Sequence, residues 1–129
     1  MIGDFSKRRR ENFKELVEFF KHYNDFFYLP NQENGVETSW LAFPLTIKKS
    51  AFSRMEIVRH LEENGIRTRP LFTGNILRQP GFRNIPKKTN GEYPNANAIM
   101  ENSFVIGCHQ GIEKEHMEHI KNTFGKFLT

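Results

Sequence analysis

Between Gly65 and Gly91 the chain carries no aspartate or glutamate, yet it carries Arg67, Arg69, Arg78, Arg83, Lys87 and Lys88. Arginine presents a rigid fork of donors that matches phosphate and carboxylate oxygens. Asn75 and Gln79 add neutral donors and acceptors to the same stretch, and Gly74 lets a backbone come close to a ligand. A long polar excursion inside a compact domain is more often functional or disordered than part of a core. The competing reading is a solvated loop whose positive charge is incidental. Composition alone leaves both open.

A second cluster is Cys108, His109, His116 and His119. Zinc takes three or four nitrogen or sulfur ligands in tetrahedral reach. Cys108 and His109 are adjacent, and adjacent strand residues point to opposite faces, so they do not share a site easily. Ordinary surface histidines and a packed cysteine are the expectation, with no metal ligands. The basic run Lys7 to Arg10 lies early in a helical pattern, the wrong end for cations on dipole grounds. It reads as a solvated face, or else as a contact with a neighbouring domain or chain. Trp40 and the phenylalanines suggest base stacking, but their spacing is that of helices and strands, which favours a core. No phosphate-binding glycine loop, nucleophile elbow or zinc-protease motif is present. The chain holds no self-sufficient catalytic constellation, and no catalytic or cofactor-holding residue is assigned.

The elements that must position these groups follow from periodicity. Phe13, Leu16, Val17 and Phe20 predict an amphipathic helix over roughly 5–23. The run 37–49 is apolar on both alternating sets, which predicts a strand covered on both faces, with Pro44 at an edge or bulge. Ser53 and Glu56 form a capping box that opens a helix ending at Asn64 and Gly65. Residues 66–72 read as a short strand and 73–92 as an irregular excursion with one helical turn. Pro94 suits the first turn of a helix over roughly 94–101. Residues 103–108 read as a strand. Met117, Ile120 and Phe124 mark a last helix over roughly 113–127, weakened by Gly125. Three short strands with helices predict a two-layer α+β domain, its sheet small and mostly antiparallel, its helices on one face.

With 129 residues, a net charge of +4 and one cysteine, a single domain without an intrachain disulfide is expected. The charge does not by itself call for nucleic acid. No leader is visible, and no apolar run approaches the ~18 residues of a membrane span. A soluble, cytoplasmic chain is expected. The helical pattern starts almost at the first residue, which suggests a segment of something longer.

Four stretches carry a resemblance: "FSKRRRENFKEL", "SWLAFPLTI", "EENGIRTRPLFTGNILRQPGF" and "NSFVIGCHQGI". In this order they resemble the C-terminal part of the pyridoxal-phosphate (PLP)-dependent aminotransferases and dehydratases that act on nucleotide-linked 4-keto sugars. The resemblance covers nearly the whole chain but about a third of such an enzyme. It implies residues 1–129 as the small domain of an aspartate-aminotransferase-type fold. The missing large domain would hold the PLP, and the whole enzyme would work as a homodimer. The aminotransferase branch often has a histidine before the apolar strand. Here Trp40-Leu41-Ala42-Phe43 stands in that place, which fits the dehydratase branch. The implied activity is C3 dehydration of CDP-4-keto-6-deoxyglucose for 3,6-dideoxyhexose and lipopolysaccharide synthesis, with a [2Fe–2S] cluster held upstream. Arg69, Asn75, Arg78, Leu41 and Phe72 would border the nucleotide-sugar substrate. The alternatives are a plain aminotransferase domain, or a basic nucleic-acid-binding module resting on the same loop, Trp40 and Arg8 to Arg10.

Overall fold

Helix α1, Ile2–Phe20, buries Phe13, Leu16 and Phe20, the three- and four-residue spacing that makes one apolar stripe. The computed structural model describes residues 2–48 and 52–129; Lys49, at the end of the expected strand 37–49, lies outside the described residues. After a 3-10 turn, Lys21–Tyr23, come β1 (Phe27–Tyr28) and β2 (Ala42–Ile47). Helix α2 (Arg54–Glu63) starts on the expected capping box, in which the Glu56 amide donates to Ser53 Oγ and the Ser53 amide donates to Glu56. Then follow β3 (Thr68–Arg69), two 3-10 turns at Ile76–Arg78 and Pro80–Phe82, α3 (Pro94–Asn102), β4 (Ser103–Gly107) and α4 (Lys114–Leu128). Helix α4 continues through Gly125.

The four strands pair antiparallel in the order β1-β2-β4-β3. Three strands were expected, and β1 is the addition. The expected strand 66–72 shrinks to Thr68–Arg69, which pair with Ile106 and Val105. Pro70 then removes the next donor. Pro44 lies in a strand that is interior by order, yet β1 pairs only with Thr46 and Ile47. The β1-side flank at Pro44 therefore stays unpaired among the described residues, as an edge would.

Phe43, Leu45 and Ile47 from β2 and Phe104 and Ile106 from β4 face one way and are buried. They meet Leu16 and Phe20 of α1, Ile57 and Leu61 of α2, and Met117, Ile120 and Phe124 of α4 in one core cluster. The other face, with Ala42, Pro44, Val105 and Gly107, is only half-buried, and Tyr28 and Arg69 on it are exposed. The expectation that β2 is covered on both faces is thus corrected. Trp40 is half-buried rather than enclosed: its ring stacks on Phe13 with centroids 3.9 Å apart, and its Nε1 donates to Gln32 Oε1 at 3.2 Å.

Of the cations in the Lys7 to Arg10 run, Lys7 stays on the solvated face, while the three arginines make contacts within the chain. Arg8 donates to the Ile112 carbonyl, Arg9 to Gln110 Oε1 at 2.9 Å, and Arg10 pairs with Glu37 at 3.1 Å. Asn12 adds a bond to the His109 carbonyl at 2.9 Å. Arg8, Arg9 and Asn12 together brace the turn that follows β4. Thr68 donates through its amide and hydroxyl to Glu62 Oε1, at 2.7 and 3.0 Å, and these bonds hold that carboxyl below its usual range. The tie is present above the ordinary carboxylate range and is lost on acidification.

Cys108 is fully buried, and its Sγ donates to the Trp40 carbonyl at 3.6 Å. Burial pushes the thiol up to about 11, with Arg9 pulling weakly the other way. Since the thiolate is the reactive form, Cys108 is expected to resist a thiol reagent at mildly alkaline pH in buffer and to react at once in denaturant. Rapid labelling of the native chain would show the site to be open.

Candidate functional site

The acid-free segment is anchored by groups that lie later in the chain. Asn75 is buried: its amide donates to Asn97 Oδ1 at 2.8 Å and its Oδ1 accepts from the Leu77 amide at 3.0 Å. Arg78 pairs with Glu101 at 2.6 Å, and Gln79 donates to the Thr73 carbonyl. All three side chains therefore fasten the 71–79 loop, two of them onto α3. Gly74 has φ +66°, and a Cβ there would lie 2.4 Å from Met100 Cβ. The close approach that glycine permits is to α3, where a ligand was expected.

Two of the expected residues remain presented to solvent in this loop region. Arg69 lies on the half-open sheet face beside Val105, and its guanidinium donates to the neighbouring Thr68 carbonyl. It has no ion pair among the described residues. Phe72 is 85% exposed with φ +49°, a backbone conformation costly for a bulky side chain. An exposed aromatic held in such a conformation by the Asn75 and Gly74 anchors is the strongest local sign of a contact surface.

Leu41, 73% exposed, sits elsewhere. Ala42 pairs with Gly107 and Arg69 with Val105, so the chain runs from Arg69 to Phe72 toward the Ser103 end of β4. Leu41 and Phe72 therefore lie beyond opposite ends of a five-residue strand that itself spans about 13 Å. The structure groups Asn75 and Arg78, places Arg69 and Phe72 near them on β3 and the same loop, and leaves Leu41 at the far end. A ligand touching all of them has to lie extended along the open face.

Sequence reasoning missed Arg54. In the sequence it is only an interior position of the capping box. Its guanidinium donates to the Met100 carbonyl at 2.6 Å and the Ser103 carbonyl at 3.3 Å, closing the C-terminal end of α3. It also lines a groove of about 360 Å³ with Leu71, Phe72, Gly74 and Met100, and one of about 250 Å³ with Arg69, Pro70 and Phe104. The only linear signal was a cation in the first turn of a helix, where the dipole disfavours it. Lys87 donates to the Phe82 and Arg83 carbonyls, so it caps a turn rather than projecting freely, and Lys88 is exposed.

The described residues do not fit a resident PLP or iron–sulfur cluster. The buried polar side chains are Thr68, Asn75, Ser103 and Thr123, and each is engaged within the chain, with Glu62, Asn97, Thr46 and the His119 carbonyl respectively. No lysine or carboxylate is buried among them. A cluster needs several thiolates, and the chain has one cysteine. The described residues contain no group of three acidic, histidine or cysteine side chains placed to hold a metal ion. No helix among them is long and apolar enough to cross a membrane. Of the cations on which a nucleic-acid surface would draw, Arg8, Arg9, Arg10 and Arg78 make contacts within the chain.

Residues 1–124 match the family model described as the DegT/DnrJ/EryC1/StrS aminotransferase family. The chain is 35% identical over 128 residues to the lipopolysaccharide biosynthesis protein RfbH of Salmonella typhimurium, covering 98% of this chain and 29% of that protein. It is 34% identical over 125 residues to a GDP-4-keto-6-deoxy-D-mannose 3-dehydratase of Yersinia pseudotuberculosis, covering 95% of this chain and 30% of that enzyme. The solved structure of the E. coli GDP-4-keto-6-deoxy-D-mannose-3-dehydratase with bound hydrated PLP matches with a TM-score of 0.82 and 25% identity, over 94% of this chain and 31% of that one. The chain spans about three tenths of the length of these relatives.

Proposed function

The chain belongs to the DegT/DnrJ/EryC1/StrS aminotransferase family, and on that premise we propose that it is the C-terminal small domain of a PLP-dependent nucleotide-sugar 3-dehydratase. The observation that carries the reading is similarity over nearly the whole chain to proteins named as 3-dehydratases. The absence of histidine from Trp40-Leu41-Ala42-Phe43 supports dehydration over transamination. The proposed substrate is CDP-4-keto-6-deoxyglucose, in cytoplasmic synthesis of 3,6-dideoxyhexoses for lipopolysaccharide. That nucleotide rests on the sequence resemblance, whereas the two relatives named as 3-dehydratases are named for a GDP-sugar.

In this reading PLP, and a [2Fe–2S] cluster if the enzyme uses one, belong to a larger domain, and the bond-making groups lie there. This chain positions substrate and excludes water. Arg69 on the open sheet face meets the diphosphate, and Phe72 and Leu41 form apolar contacts at the two ends of β4. Asn75 and Arg78 act through the loop they fasten. The half-open face with Ala42, Pro44 and Val105 receives the large domain of the same chain or of a homodimer partner.

The test uses the full-length enzyme with CDP-, GDP- and dTDP-linked 4-keto-6-deoxyhexoses, reading the product by mass. The expected result is a 3-deoxy product formed fastest from the CDP-sugar. Arg69→Ala is expected to lower kcat/KM about tenfold, the loss of one charge-assisted contact. Arg78→Ala is expected to lower kcat/KM similarly while also lowering the melting temperature, since it releases the loop. An amino-sugar product overturns the dehydratase reading, faster turnover of a GDP- or dTDP-sugar overturns the nucleotide, and full activity of Arg69→Ala removes that residue from the site.

A further inference from the structure

Between α4 and the braced turn after β4 lies a groove of about 520 Å³. Its floor is the buried Ile66, Ile106, Ile112 and Ile120. Its rim is the exposed Arg67, His109, His116 and His119. No carboxylate lines it among the described residues, and Arg67 is in none of the salt bridges found among them. Glu62, whose charge interacts with Arg69 first and Arg67 second, accepts both Thr68 bonds.

The histidines have defined roles. His109 Nδ1 accepts from the Gly111 amide at 3.0 Å, and His116 Nδ1 accepts from the Glu113 amide at 3.1 Å. A nitrogen that accepts a backbone N–H carries a lone pair, so in the neutral ring the proton sits on Nε2. His109 and His116 therefore offer Nε2–H donors, not metal-ligating lone pairs. His119 Nε2 is committed to the Asn64 carbonyl at 2.7 Å and steadies the turn before β3. The His109 ring is seated against two glycines, since a Cβ at Gly111 would lie 3.0 Å from its Nδ1 and one at Gly107 would lie 3.3 Å from its Cδ2. From behind, Arg8, Arg9 and Asn12 hold the same turn. The donors are thus set on a rigid wall.

We propose that this groove binds a small apolar carboxylic acid in its anionic form. The carboxylate sits at Arg67 and the Nε2–H groups of His109 and His116, and the hydrocarbon part lies on the isoleucine floor. A guanidinium without a direct salt bridge among the described residues, plus two imidazole N–H donors, suits a carboxylate, and an aliphatic floor favours an acid with a tail over a bare inorganic anion. The inference does not rest on the dehydratase reading: of the groove residues only Gly107, which has no side chain, also lies on the half-open face assigned there.

The experiment is a titration of the 129-residue chain with hexanoate, 1-hexanol and inorganic phosphate, followed by amide and imidazole NMR shifts. Hexanoate is expected to produce saturable shifts confined to Gly65–Arg67, Gly107–Ile112 and the His116–Ile120 turn. Arg67→Gln is expected to weaken hexanoate about three- to tenfold, given the exposure of the pair. Arg83→Gln, an exposed cation outside the groove, is expected to leave the affinity unchanged. An equal response to 1-hexanol, phosphate binding as tight as hexanoate, or an unchanged affinity in Arg67→Gln each overturns the assignment.

Discussion

Phe20→Ala is expected to destabilise the chain by about 3–5 kcal/mol. Phe20 is fully buried and touches four rings: Phe124 edge-on at 4.8 Å, Phe43 stacked at 5.5 Å, Phe27 edge-on at 5.7 Å and Phe19 at 5.0 Å. Those rings belong to α4, β2, β1 and α1, so one side chain joins four elements. Removing it loses the transfer free energy of the ring and leaves a cavity that these neighbours, each held by its own backbone, do not close. A domain of ordinary size is stable by about 5–15 kcal/mol, so the variant loses a large share of its margin. Phe72→Ala is the matched control. Its ring is exposed, and the change is expected to stay within about 0.5 kcal/mol. Denaturant midpoints of the two variants give the comparison. Equal midpoints would mean that the α1 stripe does not pack on the sheet as described.

The second large effect concerns the loop. Gly74→Ala is expected to cost about 2–5 kcal/mol, combining a left-handed backbone with overpacking. The new Cβ would meet Met100 Cβ at 2.4 Å and Met100 Cα at 2.6 Å, and a backbone atom does not rotate away. Relief requires the loop to leave α3, which opens the Asn75–Asn97 and Arg78–Glu101 contacts. Amide exchange is expected to rise across residues 73–79 and 97–101 while the core helices stay protected. Gly81→Ala, with open space around it, is expected to be neutral to about 0.5 kcal/mol. Wild-type exchange in the 73–79 loop of Gly74→Ala would disprove the close approach.

Helices were the most legible elements, because their signals are local. The capping box at Ser53 and Glu56, Pro94 at the start of α3, and the stripes of α1 and α4 each arise within a few residues of one another. Two-residue strands are different. Nothing in Phe27–Tyr28 marks a strand; it is one because Ile47 and Thr46 stand opposite. Residues 66–72 looked like a longer strand, but a ladder ends where the partner or the donor ends, and here it ends at Arg69.

By itself, the sequence determined the α+β class, the helices and their buried stripes, and the membership of the family. These depend on periodicity, caps and ordered motifs, which are properties of neighbouring residues. It also showed an acid-free run of cations. Only the tertiary structure decided what those cations do. Arg78 looked unpaired until α3 brought Glu101 to it, and Arg8 and Arg9 looked solvated until the turn after β4 came within reach from over a hundred residues away. The reason is electrostatic: a charge is neutralised by whatever lies within a few ångströms, and chain folding, not chain order, sets that neighbour.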